Sequence, residues 1–320
     1  MKNLRIVFMG TPEFAVATLG ALLINGINVV AVVTVPDKPS GRGRKLTKSA
    51  VKEFAEASAL PVLQPVKLKD PEFIKQLTEL QPDLFIVVAF RMLPEAVWRI
   101  PRLGTINLHA SLLPQYRGAA PINHAIINGE TVTGITTFFI DDKIDTGSIL
   151  DREEVTIYPE ENAGDLHDRL MVHGARLVVK TISELAEGTA RTESQNKYVK
   201  PGEVLKTAPK ITPEFCIIDW NKDPHSIYNF IRGLSPYPCA RSAFRNSGTL
   251  SFKVFESASE TGIHDHEPGQ IISDGKKYLK VSCIGGYISI LSLQLEGKKR
   301  MGIEEFLRGF RISDYSQKLS

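Results

Sequence analysis

The stretch "RIVFMGTPEFAVATLGALLINGINVVAVVTV", Arg5 to Val35, decides the fold. Its two ends, "RIVFMG" and "NVVAVVTV", are continuous apolar, β-branched runs rather than alternating ones, as expected of parallel strands covered on both faces. Between them "EFAVATLGALLING" reads as a helix that closes on Gly26, where a C-cap belongs. A second helix-like segment, "SAVKEFAEASA", and a third apolar run, "DLFIVVAF", continue the alternation. Strand, helix, strand repeated in this way predicts a doubly wound, mostly parallel α/β sheet.

Two further strand candidates, "TINLHASL" and "GITTFFI", flank a helix-like "APINHAIINGE". The segment Asn162 to Gly188 reads as one long amphipathic helix, with Leu166, Leu170, Leu177, Val178 and Leu185 along a face. A first, Rossmann-like domain is therefore expected over 1–188. From Thr189 to Ile211 the chain turns polar and lysine-rich, which predicts an interdomain linker over 189–211. The remainder, 212–320, opens with a short helix, "DPHSIYNFIRGL", and continues as strands with turn signals at Asp274-Gly275 and Gly285-Gly286. A small, OB-like antiparallel β-barrel of about five strands is the closed solution for such a segment.

Composition excludes more than it selects. With 320 residues, 42% hydrophobic and 23% charged, the chain has room for two compact domains, and a net charge of only +3 implies no polyanionic partner by itself. Cys216, Cys239 and Cys283 are widely spaced and odd in number, against a disulfide framework or a zinc cluster. The N-terminal apolar run is too short for a signal-peptide core, and no stretch approaches the ~18 apolar residues of a membrane span. The expectation is a cytoplasmic protein.

The first strand-to-helix turn, "MGTPEFA", has a single glycine, Gly10, and so lacks the G-x-G-x-x-G needed to approach a pyrophosphate. Glu13 would repel a phosphate at that helix start. NAD is not expected. Polar chemistry concentrates instead in "INLHASLLPQYRGAAPI", Ile106 to Ile122. Asn107 and His109, two apart, share one face of a strand whose carboxyl end, at Pro114, is where open α/β sheets bind substrates. An amide and an imidazole are suited to a developing oxyanion, and Asp145 in "FFIDDKIDTGSIL" is the carboxylate placed to hold the histidine. Asp141 and Asp142 read as turn residues, His264 and His266 as a loop pair with no further metal ligands nearby. Spacing alone leaves a crevice enzyme that uses Asn, His and Asp.

In order along the chain, "VFMGTPEFA", "VVTVPDKPSGRGRKLTKSAVK", "INLHASLLPQYRGAAPINHAIINGE" and "DDKIDTGSIL" together resemble the folate-dependent formyltransferases, most closely those acting on methionyl-tRNA, and the likeness covers essentially the whole chain. The resemblance implies transfer of the formyl group of 10-formyltetrahydrofolate to the α-amine of methionine on initiator tRNA, with no metal. Asn107 and His109 then stabilise the oxyanion, and Asp145 orients His109, favours its charged form and assists amine deprotonation. Ser111 lacks a nucleophile-elbow motif and is expected to be structural. The folate side is expected at Phe90, Arg91, Met92 and Leu93, at Ser111, Leu112, Leu113 and Pro114, and at Asp141 and Asp142. Arg91, Lys143 and Ser148 depart from the pattern the resemblance implies.

The same resemblance gives a use to the basic loop Pro36 to Lys48, which carries Lys38, Arg42, Arg44, Lys45 and Lys48 against one acid, Asp37. Such a loop is expected to contact acceptor-stem phosphates. Lys197, Lys200, Lys206 and Lys210 in the linker, and Lys298, Lys299 and Arg300 beyond it, add to a tRNA-binding surface, with the C-terminal domain as a holding module. A monomer is expected. Glycinamide ribonucleotides and nucleotide sugars are the rival acceptors, and neither calls for this basic loop. A binding module on an inactive sheet is disfavoured by the joint presence of Asn107, His109 and Asp145.

Overall fold

The structure, a computed structural model, describes residues 4–40, 45–246, 248–316 and 318–319. It divides into two compact units, Met1–Gly118, Thr133–Val155 and His167–Thr207 in one, and Ala119–Val132, Thr156–Leu166 and Ala208–Ser320 in the other.

The first unit is built on a sheet of β1 (Ile6–Gly10), β2 (Val29–Val33), β5 (Val62–Leu63), β6 (Leu84–Val88), β7 (Thr105–His109), β9 (Val132–Phe139) and β10 (Ile149–Thr156). The order across it is β10-β9-β7-β6-β1-β2-β5. The pairs β1–β2, β1–β6, β2–β5 and β6–β7 are parallel, and β7–β9 is antiparallel. Every residue of β1 and β6 is buried, which is why their sequences are unbroken apolar runs. Between β2 and β5 lies a hairpin of β3 (Lys38–Ser40) and β4 (Lys45–Thr47), and beyond β7 comes the two-residue β8 (Arg117–Gly118).

Helices α1 (Glu13–Ile24), α2 (Ala50–Ala57), α3 (Pro71–Glu79), α4 (Glu95–Trp98), α5 (Pro121–Ile127) and α6 (Ala163–Glu187) connect these strands. Ser49 caps α2 by accepting the Lys52 N–H, and Asp70 caps α3 ahead of Pro71 in the first turn. The long helix expected over 162–188 is α6, with Leu166, Leu170, Leu177 and Val178 buried and Leu185 half-buried. Gly174 lets it lie close to β7, because a Cβ there would stand 2.7 Å from Leu108 Cδ2. Leu108 is thus clamped on one side of β7, which commits Asn107 and His109 to the other.

In the second unit α7 (Pro224–Leu234), capped by Asp223, accompanies an antiparallel sheet. Its strands are β12 (Ala240–Arg245), β13 (Thr249–Thr261), β14 (Ile271–Ser273), β15 (Leu279–Cys283) and β16 (Gly286–Leu295), and the short β17 (Met301–Gly302) adds a sixth on β16 before α8 (Ile303–Gly309). The ladder runs β12-β13-β16-β15-β14, and register shifts around Glu256 bend the long β13 so that the sheet curls as a half-barrel. Phe244 stacks on Phe252 at 4.6 Å inside the curl, with Ile288, Leu293 and Phe306 around them.

The segment expected as a linker carries a single 3-10 turn at Gln195–Tyr198 and the short β11 (Thr207–Ala208). Glu193 forms an antiparallel bridge with Ile149, so this stretch lies against the first unit's sheet instead of running free.

Candidate active site

The site begins where β7 ends. His109 is 6% exposed and opposite Thr136, while Asn107 is opposite Phe138. The His109 Nε2 lies 2.9 Å from the Tyr116 carbonyl oxygen, a partner that only accepts, so Nε2 carries the proton and donates it there. Nδ1 is left facing Asp145, 3.8 Å from Oδ2. That separation is too long for a hydrogen bond and within reach of an ion pair once the ring is charged. Asp145 Oδ2 accepts the Gly118 N–H at 2.9 Å. The half-buried Asn107 amide makes no hydrogen bond among the described residues, so its two donors are left for a ligand.

The turn after β7 is pinned from beneath. Ser111 Oγ donates to the Gln115 carbonyl at 2.7 Å, which commits the hydroxyl to closing the turn. Thr136, fully buried on β9, donates to the Ser111 carbonyl at 2.7 Å and accepts the Leu113 N–H at 3.2 Å. Tyr116 has a left-handed backbone, φ 60°, and its N–H donates to the Lys206 carbonyl at 2.7 Å. Asp145 is left-handed too, φ 54°. Two non-glycine residues in this region, costing on the order of 1 kcal/mol or more each, mark a site held against local preference. The Asp145 loop returns so tightly that a Cβ on Gly147 would sit 1.6 Å from the Phe139 carbonyl oxygen, which only glycine permits.

Of the residues expected on the folate side, Leu93 is buried in the sheet core with Val7 and Met9, and Leu113 packs with Phe138 and Ile149, so these two present backbone rather than side chain. Phe90 is half-buried and Met92 exposed. Arg91 donates to the Pro65 and Val66 carbonyls at 2.8 and 3.1 Å and rests on the Phe90 ring, tying the loop after β6 to the segment before α3. Burial pulls its guanidinium below the usual arginine range. Asp141 caps the turn by accepting the Lys143 N–H and the Thr146 hydroxyl, whereas Asp142 is exposed. Leu112 is half-buried against the position of Gly134, and Pro114 is buried.

Of the basic residues, Arg42 and Arg44 lie outside the described residues, as does the side chain of Lys45. Lys38 is exposed on β3. The hairpin is rooted at Asp37, whose carboxylate accepts from Lys52 Nζ at 2.7 Å and Gln64 Nε2 at 2.8 Å, and those hydrogen bonds, Lys52 first, hold it below the usual carboxylate range. Lys200, Lys206, Lys210 and Lys298 are exposed, and Lys197 pairs with Glu193. Lys299 pairs with Glu305 at 2.9 Å, and Arg300 bonds Glu256 and Ser292 over the Phe255 ring. Exposed pairs of this kind cost little to exchange for phosphates.

Sequence reasoning missed Gln195. It is 3% exposed, its Nε2 donates to the Asp145 and Gly147 carbonyls at 2.9 and 2.8 Å, and its Oε1 accepts from the Arg117 guanidinium. One glutamine in a polar segment carries no local signal. Thr136 did carry one, as one of two adjacent hydroxyls, with Thr137, in the otherwise apolar "GITTFFI". His264 is structural: its Nε2 donates to the Cys283 and Gly286 carbonyls, and its Nδ1 accepts the His266 N–H. Among the described residues no group of three His, Cys, Asp or Glu is placed to hold a metal ion, and no helix is long and apolar enough to cross a membrane.

The formyl transferase family matches residues 4–182, and the formyl transferase C-terminal domain matches 210–311. A methionyl-tRNA formyltransferase of Bacteroides fragilis is 52% identical over 315 residues, 98% of this chain and 97% of that protein. One of Flavobacterium johnsoniae is 53% identical over 315 residues, covering 98% of each. Among solved structures the sugar 3N-formyl transferase WlaRD superposes with a TM-score of 0.63 at 21% identity, over 93% of this chain and all of that one. HypX from Aquifex aeolicus gives 0.62 at 16% identity over 97% of this chain, which spans about half of that protein's length (49%). At such identities the structural likeness speaks for the fold alone. Sequence identity above half across nearly the entire chain, with both domain matches in order, places this chain in the formyl transferase family, among the methionyl-tRNA formyltransferases.

Proposed function

We propose that the chain transfers the formyl group of 10-formyltetrahydrofolate to the α-amine of methionine carried by initiator tRNA, acting as a monomer in the cytoplasm. One observation carries the reading: an uncommitted Asn107 amide beside a His109 whose free nitrogen faces Asp145, at the carboxyl end of a central strand. The transfer makes one N–C bond, breaks the bond between the formyl carbon and N10 of the folate, and moves one proton net from the amine to N10. Asn107 Nδ2 donates to the formyl oxygen as negative charge collects there. His109 works through Nδ1, since Nε2 is spent on Tyr116. Asp145 keeps one oxygen on the Gly118 N–H and offers the other to the amine proton, directly or through a water.

The turn Ser111 to Pro114 and the backbone from Phe90 to Leu93 border the folate, with Asp141 and Asp142 at its edge. Residues 1–188 carry the chemistry, 189–211 connect, and 212–320 hold the tRNA together with the basic loop at Lys38, Arg42, Arg44 and Lys45. Lys206, Lys210, Lys298, Lys299 and Arg300 contribute phosphate contacts.

The test is formyl transfer from 10-formyltetrahydrofolate to methionyl initiator tRNA and, in parallel, to a glycinamide ribonucleotide, with wild type and Asp145→Ala. Transfer to the tRNA alone, lowered at least ~100-fold by the substitution, is the expected result. Transfer to the small acceptor alone would overturn the tRNA assignment and keep the folate chemistry.

A further inference from the structure

The polar segment Gln195 to Lys206 touches the site at two points, and each point supports one of the two ionisable side chains. At the first, Gln195 Nε2 donates to the carbonyls of Asp145 and Gly147, while Gln195 Oε1 accepts from Arg117, the residue before the Gly118 whose N–H holds the Asp145 carboxylate. A closed ring of hydrogen bonds therefore runs from Gln195 to the Asp145 backbone, through its side chain to Gly118, and back through Arg117. At the second, the Lys206 carbonyl accepts the Tyr116 N–H, and Lys206 N–H donates to Gln115 Oε1 at 2.8 Å. Gln115 Nε2 in turn donates to Glu203 Oε1 at 2.7 Å. Tyr116 is the residue whose carbonyl fixes His109.

Asp145 and Tyr116 both have left-handed backbones, and this segment bonds each at the strained residue itself, Gln195 Nε2 donating to the Asp145 carbonyl and the Lys206 carbonyl accepting the Tyr116 N–H. A strained conformation persists only where its surroundings over-determine it. Gln195 is nearly fully buried with every one of these donors and acceptors used, so its place in the segment is fixed by the site and not by solvent.

We infer that the segment Gln195 to Lys206 is a positioning element for the transfer reaction: Gln195 sets the backbone of Asp145, and Lys206 with Gln115 sets the Tyr116 carbonyl that orients His109. The inference rests on the proposed roles of Asp145 and His109. Its consequence is that the 3.8 Å approach of His109 Nδ1 to Asp145 Oδ2 is set by residues about 50 and 90 positions further along the chain.

The experiment measures kcat and KM for both substrates with Gln195→Ala, Gln195→Glu, Asp145→Asn and the two double variants. Gln195→Glu keeps the acceptor for Arg117 and sets a carboxylate oxygen where the donor to Asp145 and Gly147 stood, so it retains the Arg117 contact while breaking the positioning one. Both Gln195 variants are expected to lower kcat ~10- to 100-fold, the scale of a small misplacement of a catalytic group, with KM for the formyl donor within about twofold of wild type. In the Asp145→Asn background neither should reduce kcat further, because Gln195 acts through that side chain. Gln115→Ala should lower kcat in the same direction. Wild-type kcat in Gln195→Glu, or a full multiplicative loss in the double variants, overturns the inference. Wild-type kcat in Asp145→Asn instead removes the role of Asp145, and the positioning role falls with it.

Discussion

Thr136→Val tests how the turn beneath the site is held. The two side chains have nearly the same shape and the position is fully buried, so no cavity opens and no water replaces the lost hydroxyl. What disappears is the donor to the Ser111 carbonyl and the acceptor for the Leu113 N–H. Leaving a buried backbone group without its partner costs roughly 1–3 kcal/mol, and the 3.2 Å bond to Leu113 belongs at the low end, so the pair is worth about 2–4 kcal/mol. Urea unfolding read by Trp98, in a Trp220→Phe background so that the first unit alone reports, is the assay. With a slope of about 2 kcal/mol/M the midpoint should fall by roughly 1–2 M. The slope itself should not change, since the same surface is exposed. The Ser111 to Pro114 turn also borders the proposed folate position, so KM for the formyl donor should rise while KM for the tRNA stays. A midpoint shift below about 0.3 M would refute the reasoning, because it would mean that the turn finds other partners at no cost.

Arg42→Ala is expected to lower kcat/KM for methionyl-tRNA with KM for the formyl donor unchanged, and to reduce the salt dependence of tRNA binding by close to one phosphate contact; an unchanged salt slope would take the basic loop out of the interface. The Cys283 thiol, pushed by burial up to about 11, should resist iodoacetamide at pH 8 in the folded protein. Its linkage has a definite sign. The unfolded thiol ionises near ~8.5 while the folded one holds its proton to about 11, so the folded state binds more protons in that window and stability falls as pH rises through it. Cys283→Ala should flatten that alkaline decline in a series of denaturation midpoints.

The central strands could be read from the chain because burial on both faces leaves an unbroken apolar record: Ile6 to Gly10 and Leu84 to Val88 have no exposed position to interrupt it. α3 left a weaker trace. Only Phe73 and Leu77 of its residues are buried, and its one strong mark was the Asp70-Pro71 start. β10 lies at the sheet edge, where the charges of "ILDREEVT" are mostly half-buried in pairs, Asp151 with Lys180 and Glu153 with His173, and so the segment does not look like a strand. α8 is a single short helix after β17, too brief to show a period.

For the site, Asn107 and His109 stood out because an amide and an imidazole share one face of an apolar strand, a parity that can be counted. The groups that hold them cannot be counted in this way. The Tyr116 carbonyl and the Gly118 N–H are backbone groups that any residue but proline supplies, and their use here depends on φ values that no letter encodes. Gln195 gains its meaning from partners 48 and 50 residues earlier, at Gly147 and Asp145.

The division of the chain has a consequence for its synthesis. α5 belongs to the second unit, where Asn123 bonds the Gly233 carbonyl on α7, 110 residues later. At ribosomal speeds of about 5–20 residues per second, α5 emerges roughly 5–20 s before its packing partner exists. During that interval Ile127, which packs so closely on Gly233 that a Cβ there would stand 2.6 Å from its Cγ1, has no α7 to cover it. The nascent chain thus passes through a stage in which its first sheet is complete in sequence while an apolar helix waits uncovered, a natural station for a chaperone.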